Sequence, residues 1–181
     1  MKRLALDELV AWKNAQTRKP LILQGARQTG KTWLIKEFGK SHYTTTAYIN
    51  FEQSPHLSII FEKGYNIKKI INSLKIETGL SIVPNSTLIV FDEIQAVPAA
   101  LNSLKYFYEE SPEYHIIAAG SLLGITLHSG FSFPVGKVDF LSLFPMNFTE
   151  FLLAVDKDLA KLLESLDFEL ITAFRNRFVE R

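Results

Sequence analysis

One octapeptide sets the architecture that we predict for this chain: Gly25-Ala26-Arg27-Gln28-Thr29-Gly30-Lys31-Thr32. It matches the phosphate-binding loop pattern G-x-x-x-x-G-K-[ST] in full. The apolar run 21–23 leads into it, and a helix-forming run at 33–38 leads out of it and ends at Gly39. Strand, loop and helix in this order are the context that the pattern requires, so a chance match in a glycine-containing turn is the weaker interpretation.

The residue types in this loop suit the binding of a triphosphate. We expect Gly25 and Gly30 to adopt backbone angles closed to other residues, so that the loop wraps around phosphate oxygens. The N–H groups of the loop and of the following helix then form an anion-binding nest. Lys31 is predicted to reach the β- and γ-phosphates, and the Thr32 hydroxyl to ligate Mg²⁺. All eight residues are therefore predicted to bind ATP or ADP.

A second motif follows further along the chain, where the apolar run 87–91 ends in Asp92 and Glu93. Such a run is typical of a strand buried on both faces of a parallel sheet. Acids at the carboxyl end of that strand are expected beside the phosphate loop. We predict that Asp92 supports Mg²⁺ and that Glu93 is the general base that polarises the attacking water. The alternative is that the two acids merely begin a helix and offset its dipole.

The second acid also bears on the class of reaction. A kinase that hands its phosphoryl group to a bound acceptor has less need of a water-activating carboxylate, so Glu93 favours ATP hydrolysis. A kinase for a small acceptor would also need an acceptor pocket and an arginine-rich lid, and the sequence has no such arginine cluster. A nucleotide-gated interaction switch with negligible turnover is the other hypothesis, in which bound ATP or ADP sets the contact with a partner.

Composition agrees with one α/β domain. The chain has 181 residues, of which 47% are hydrophobic, enough for a sizeable core. A net charge of +1 gives no reason to expect a nucleic acid or an acidic membrane as partner of this segment. Cysteine is absent, which excludes disulfides and thiolate metal sites. Acids soon after Met1 argue against a signal peptide, and no apolar run is long enough to cross a bilayer, so we expect a cytoplasmic protein.

The rest of the chain alternates between strand and helix patterns, as expected for a parallel sheet. Beyond the two motifs, strands are predicted at 44–51, 115–119 and 138–144. Helices are predicted at 4–12 and 55–62, from an Asn66 cap to Gly79, and from Pro98 with Leu101, Leu104 and Tyr108 on one face. A capping box at 147–150 predicts a further helix.

Four motifs together carry a resemblance to a known family: the phosphate loop, residues 91–95, residues 118–121, and the segment 132–138 followed by 148–151. From about Lys19 to Phe151 the chain resembles a large prokaryotic family of AAA-like P-loop ATPases. The resemblance implies a three-layer αβα fold, a central and mostly parallel five-stranded sheet of order 5-1-4-3-2, and a helical C-terminal tail. It also implies a P-loop ATPase core at 1–145 and a helical segment at 146–181.

The same resemblance bears on the end of the chain and on its partners. Family members usually carry a second domain of unknown function after the core, and residues 174–181 lie within an amphipathic helical pattern. We therefore expect 146–181 to be a shortened beginning of the lid and C-terminal region. The expected partners are the nucleotide and that missing domain, and an oligomer is possible.

Two further site residues come from the resemblance. Ser121 matches a small polar residue that senses the γ-phosphate or the attacking water, although a helix cap or turn is the alternative. Lys137 stands where relatives carry arginine and either contacts the triphosphate, closes a subunit interface, or is a solvated lysine.

The remaining charged and aromatic residues are given ordinary roles. Arg27 is expected to point away from the nest and is not counted as catalytic. Trp12 is expected to pack on its helix, with a wall of an adenine pocket as the alternative. The other arginines that we considered (Arg3, Arg18, Arg175, Arg177 and Arg181) and the four histidines (His42, His56, His115 and His128) are expected at the surface or in turns, without a metal pattern.

Overall fold

Short runs rich in apolar and β-branched residues form the five strands of the central sheet in the computed structural model. Its description covers residues 3–62, 64–120, 134, 136–156, 158, 160 and 161. The strands in chain order are β1 (Leu21–Gln24), β2 (Thr45–Asn50), β3 (Thr87–Asp92), β4 (His115–Gly120) and β5 (Asp139–Ser142). They form a single sheet of order β2-β3-β4-β1-β5, and every pairing is parallel. The predicted order 5-1-4-3-2 is confirmed.

Burial along the strands reflects their positions in the sheet. Every residue of β3 and β4 is buried, whereas the edge strand β2 alternates between buried and half-buried positions. Because all strands run the same way, their carboxyl ends meet at one edge. Asn50 is paired with Asp92 there, and Gln24 with both Gly120 and Ser142.

Helices cover both faces of the sheet, which a parallel sheet requires. These helices are α1 (Ala5–Asn14), α2 (Lys31–His42), α3 (Ser58–Glu62), α4 (Ile67–Thr78) and α5 (Pro98–Glu110), with short 3-10 helices at Pro55–Leu57 and Ile94–Ala96. A further helix, α6 (Phe148–Val155), belongs to a separate compact unit of the chain. Alternate residues of β3 enter different cores: Leu88 and Val90 pack with α1 and α2, whereas Ile89 and Phe91 pack with α3 to α5. The three-layer αβα prediction is thereby confirmed.

The chain divides into two compact units, Ala5–Pro145 and Met1–Leu4 with Met146–Arg181. In the described part of the second unit, Asn147 caps α6 through the predicted capping box with Glu150. Arg3 was expected at the surface, but its side chain is buried and its Nε donates to Glu150 Oε1 at 3.0 Å. The backbone N–H of Leu4 donates to the same oxygen at 2.9 Å. Glu150 therefore joins the two ends of this unit.

Three helix predictions need correction. The helix over 55–62 is a 3-10 turn followed by α3. In α5 the aromatic residue that enters the core is Phe107, and Tyr108 is only partly buried. Helix α2 does not stop at Gly39 but continues to His42. Gly39 serves close packing instead, because a Cβ there would lie 2.3 Å from Thr46 Oγ1 on β2.

His115 was expected at the surface but lies in the core at the start of β4. The Tyr43 hydroxyl is 2.7 Å from its Nδ1, and Asn85 Oδ1 is 3.3 Å from its Nε2. Burial, with the nearby charges of Arg18 and Lys13, lowers the pKa of His115 to about 4.

Two other expectations concern the remaining arginines and His128. Arg18 is half-buried rather than solvated, and it donates to the backbone carbonyls of Lys13 and Pro112. The predictions for His128, Arg175, Arg177 and Arg181 lie outside the described residues. Within the described ranges, no helix combines the length and apolarity needed to traverse a bilayer.

We expect Gly39→Ala to destabilise the protein by about 1–3 kcal/mol, although helix propensity alone favours alanine by about 1 kcal/mol. The added methyl group would meet the Thr46 hydroxyl, so Thr46→Ala in the same chain should recover much of the loss. Urea unfolding of both single variants and the double variant measures this coupling. Strictly additive losses would contradict the contact.

Stability should also fall on acidification because His115 is held neutral in the folded state. Its folded pKa of about 4 lies below the ordinary value of 6.5, so the unfolded chain takes up the proton first. The contribution of His115 is complete above pH 6.5 and is lost as the pH falls towards 4. Between about pH 7.5 and about pH 5 the loss is about 2 kcal/mol.

Urea unfolding of the wild type, His115→Gln and the exposed control His56→Gln at both pH values tests this dependence. We expect a shallower pH dependence in His115→Gln alone. Equal pH dependence in all three proteins would show that His115 is not responsible.

Candidate nucleotide-binding site

The predicted phosphate loop lies between the end of β1 and the start of α2, at the carboxyl edge of the sheet. Gly30 is the N-cap of α2 with φ 90°, a left-handed angle that glycine adopts without strain. Gln28 also has a left-handed φ, 64°. Gly25 does not, so the expectation about its backbone angles was wrong. A Cβ on Gly25 would lie 2.3 Å from the carbonyl oxygen of Leu143, and close approach of the backbone is what requires glycine there.

Internal hydrogen bonds hold the loop. Thr29 is buried, and its Oγ1 donates to the Ala26 carbonyl at 3.0 Å. Lys31 Nζ donates to the carbonyls of Gly25 and Ala26, each at 2.7 Å. The side chains of Ala26, Arg27 and Gln28 are exposed. The loop is thus braced from within by a threonine and a lysine.

Lys31 is also coupled electrostatically to the end of β3. Burial lowers its pKa, and the negative charges of Glu93 and Asp92 act in the opposite direction. The structure therefore brings the loop lysine and both predicted acids to the same edge of the sheet. This is the arrangement that the two sequence motifs predicted.

Asp92 is the last residue of β3 and is buried. Its Oδ1 accepts the backbone N–H of Glu93 at 3.0 Å, and its Oδ2 accepts the hydroxyl of Tyr48. Glu93 has a left-handed φ of 50° and is only partly buried. The carboxylate of Asp92 is therefore held by two donors, one from the backbone and one from a neighbouring strand.

Tyr48 is a residue of this site that the sequence motifs did not indicate. Its hydroxyl donates to the carboxylate of Asp92 at the end of β3. Burial, followed by the hydrogen bond to Asp92, raises the pKa of Tyr48 far above its usual range. The strand order was the available signal, because it places β2 beside β3 and Tyr48 two residues before the carboxyl edge of β2.

Gln95 is a second residue that the motifs did not assign to the site. Its Nε2 donates to Glu93 Oε2 at 2.6 Å. Its Oε1 is buried and has no hydrogen-bond partner among the described residues. The carboxylate of Glu93, the predicted general base, is thus held by the side chain two residues further along the chain.

Of three other candidates, two lie elsewhere and one falls outside the described residues. Ser121 directly follows β4, outside the described residues. Lys137 Nζ is 2.8 Å from Glu109 Oε1 on α5, at the surface of the protein. Trp12 is buried, packs against Phe38, and donates its indole N–H to the carbonyl of Lys19. The structure therefore supports the packing interpretation of Trp12.

Comparison with known proteins agrees with this geometry. A family model described as an AAA domain matches residues 17–152. No curated protein matches the chain.

Two solved structures share the fold at low sequence identity, and a third is similar at a TM-score below 0.5. Drosophila ORC bound to DNA has 18% identity and a TM-score of 0.53 over 90% of this chain and 47% of that chain. AMPPCP-bound DnaA from Aquifex aeolicus has 14% identity and a TM-score of 0.50 over 88% of this chain and 51% of that chain. A Walker-type ATPase of Pyrococcus abyssi has 18% identity and a TM-score of 0.49 over 87% of this chain and 58% of that chain.

This chain accordingly spans about half the length of these proteins. The family match covers most of the sequence and includes both the phosphate loop and the acids that end β3. The chain belongs to the AAA domain family of P-loop ATPases.

Proposed function

We propose that this chain binds ATP together with Mg²⁺ and hydrolyses it. The observation that carries the proposal is that the phosphate loop with Lys31 and the acids Asp92 and Glu93 lie at the same carboxyl edge of the sheet, where the negative charges of both acids oppose the lowering of the Lys31 pKa by burial. A lysine in a glycine-containing loop that leads into a helix N-terminus suits phosphate, and two neighbouring carboxylates suit a metal ion and a water molecule.

Binding would replace contacts that the loop already makes. The ammonium group of Lys31 is held by the carbonyls of Gly25 and Ala26, and it is already partly desolvated. Phosphate oxygens are stronger acceptors for an ammonium group than neutral carbonyls are. We infer that Lys31 moves its hydrogen bonds from the loop to the β- and γ-phosphates, while the first N–H groups of α2 face the same anion.

The residues present fit a magnesium ion. The Thr32 hydroxyl and the Asp92 carboxylate supply hard oxygen atoms, which Mg²⁺ prefers alongside phosphate and water. Bound with the nucleotide, the ion would neutralise charge that develops on the phosphates. No group of three or more His, Cys, Asp or Glu side chains in the described ranges could hold a metal ion by itself. The proposed ion therefore depends on the nucleotide.

Hydrolysis would use Glu93 as the general base. Its carboxylate would accept a hydrogen bond from water and orient that water towards the γ-phosphorus, and Ser121 would sense the γ-phosphate. The remaining contribution is positioning and charge stabilisation by Lys31 and the loop.

The setting of this core is also part of the proposal. We infer a cytoplasmic protein in which 1–145 is the ATPase core and 146–181 begins a lid or C-terminal domain, with the nucleotide as the principal partner. One similar structure is bound to DNA, but the net charge of +1 gives this segment no comparable attraction. Assembly into an oligomer is possible on this view.

A nucleotide-gated switch is a second candidate, and one observation favours it. Gln95 donates to Glu93 at 2.6 Å, so the proposed base is already engaged by a neighbour. If that bond persists with ATP bound, Glu93 cannot orient water well and turnover is negligible. Binding would then act only by favouring one conformation of the protein.

Lys31→Ala should abolish the thermal stabilisation by ATP, because the ammonium group that grips the phosphates is lost. In the wild type, ATP at about a hundred times its dissociation constant should add about 2.7 kcal/mol to the free energy of unfolding. Differential scanning fluorimetry with and without ATP measures the shift. Lys40→Ala, an exposed lysine at the other end of α2, is the control and should keep the full shift. An unchanged shift in Lys31→Ala would contradict the proposed role.

Glu93→Gln should bind ATP but release phosphate roughly 10²–10⁴ times more slowly than the wild type, since it lacks a base. Steady-state phosphate release, measured beside the ATP-induced thermal shift, separates catalysis from binding. Glu110→Gln, an exposed residue of α5, should leave both unchanged. Release at background level in the wild type, with ATP still bound, would support the switch instead.

A further inference from the structure

We propose that Gln95 is a positioning residue that regulates hydrolysis: its side-chain amide occupies the carboxylate of Glu93 until a water molecule held by bound ATP replaces it. The inference rests on the proposed function, since Glu93 is the residue assigned to activate water. It differs from the nucleotide-gated switch, because the bond opens when ATP is bound and sets the rate of turnover. Gln95 lies in the short 3-10 helix Ile94–Ala96, which begins two residues after the end of β3.

The orientation of the Gln95 amide follows from the groups around it. Its Nε2 lies 2.6 Å from Glu93 Oε2, and an ionised carboxylate only accepts hydrogen bonds, so the NH₂ group must face it. The other atom of the amide, Oε1, is buried and has no hydrogen-bond partner among the described residues. Turning the amide over would place two acceptors against each other and leave a buried donor unpaired. The contact with Glu93 therefore decides how the amide is placed.

This placement combines a favourable contact with an unfavourable one. A hydrogen bond to a charged carboxylate is stronger than one between neutral groups. A buried acceptor without a donor, however, loses its hydration and gains nothing in exchange. Glu93 also has a left-handed φ of 50°, and such angles in residues other than glycine cluster at active sites and switch regions. Little free energy therefore separates this closed arrangement from an open one, in which the amide has left Glu93.

Only the side chain of Gln95 has to move for the bond to open. The neighbouring residues Ile94 and Val97 are buried in the core that α3 to α5 form with the sheet. The backbone N–H groups of Ala96 and Val97 donate to the carbonyls of Glu93 and Ile94, which closes the turn. Rotation of a side chain is fast compared with the rearrangement of packed elements. The half-buried Gln95 side chain can thus leave Glu93 without disturbing the fold.

Bound ATP favours the open arrangement because it supplies a competing donor. A ligand shifts such an equilibrium only by interacting differently with the two states. A water molecule held against the γ-phosphate offers its O–H groups to the Glu93 carboxylate, in place of the N–H group of Gln95. Without nucleotide that water is not held, and the amide keeps its place. Each turnover then includes the opening of the bond between Gln95 and Glu93.

The test is single-turnover phosphate release by Gln95→Met, which keeps the length of the side chain and removes the amide. With protein in excess over ATP and Mg²⁺ present, this measurement separates the chemical step from product release. We expect phosphate release about tenfold faster than in the wild type, the scale of one hydrogen bond to a charged group. The thermal shift produced by ATP should stay unchanged, because the phosphate contacts remain.

Further variants show whether Gln95 acts through Glu93. In a Glu93→Gln chain, the added change Gln95→Met should leave phosphate release unaltered, because the carboxylate that the amide holds is absent. Gln53→Met, which changes an exposed glutamine shortly after β2, is the matched control and should behave as the wild type. Gln95→Leu also removes the amide, should Gln95→Met fail to fold, and it should release phosphate faster as well.

Each opposing result has a separate meaning. Unchanged or slower release without the Gln95 amide, with ATP still bound, would overturn the inference. An equal acceleration in the Glu93→Gln chain would also overturn it, because the amide would then act by another route. Equal release above background from the wild type and Glu93→Gln would instead overturn the proposed role of Glu93, and this inference with it. A wild type without any thermal shift in ATP would overturn the proposed function itself.

Discussion

Complete burial of the two central strands is the constraint on which the larger unit depends. Every residue of β3 and β4 is buried, so apolar helices must cover both faces of the sheet. All pairings in the sheet are parallel, and parallel neighbours need crossover connections, which carry the helices onto its two faces. Parallel strands end at a common edge, and the polar groups that follow them meet there. The site is therefore a consequence of how the core is closed.

Two glycines set how closely that core closes. Gly25 admits the carbonyl of Leu143 at the end of the β1–β5 pair, and Gly39 admits the side chain of Thr46 against α2. The first contact involves backbone and fixes where the phosphate loop begins. The second sets how closely α2 packs on β2. The contacts that pack the core therefore also set the geometry of the site.

Much of the fold followed from local chemistry, because a cap or a buried run needs only nearby residues. Asn66, Gly79 and the capping box of Asn147 lie at helix ends as predicted. The sheet order followed from the family resemblance, and the edge of the sheet that carries the site followed from that order.

Other features depend on residues far apart in sequence, which no local pattern encodes. Arg3 can be buried because Glu150 accepts a hydrogen bond from its Nε, and His115 because Tyr43 and Asn85 lie within hydrogen-bond distance of its two ring nitrogens. Tyr48 alternates with buried residues like any residue of an edge strand, so its pattern predicts packing alone. Its contact with Asp92 appears only when β2 and β3 are placed side by side.

The distance in sequence between hydrogen-bonded residues also distinguishes how the two acids of this site are held. Asp92 has one oxygen bound by the backbone of Glu93 and the other by Tyr48, so its orientation is fixed by the fold itself. Glu93 is held differently, by Gln95 in a short 3-10 helix next to it in sequence. A bond between residues two positions apart can break without disturbing the sheet, whereas the Tyr48 bond joins two strands. On the proposed function, the Asp92 side of the site is therefore held by the fold, and the Glu93 side is the part that could change between an idle and a working arrangement.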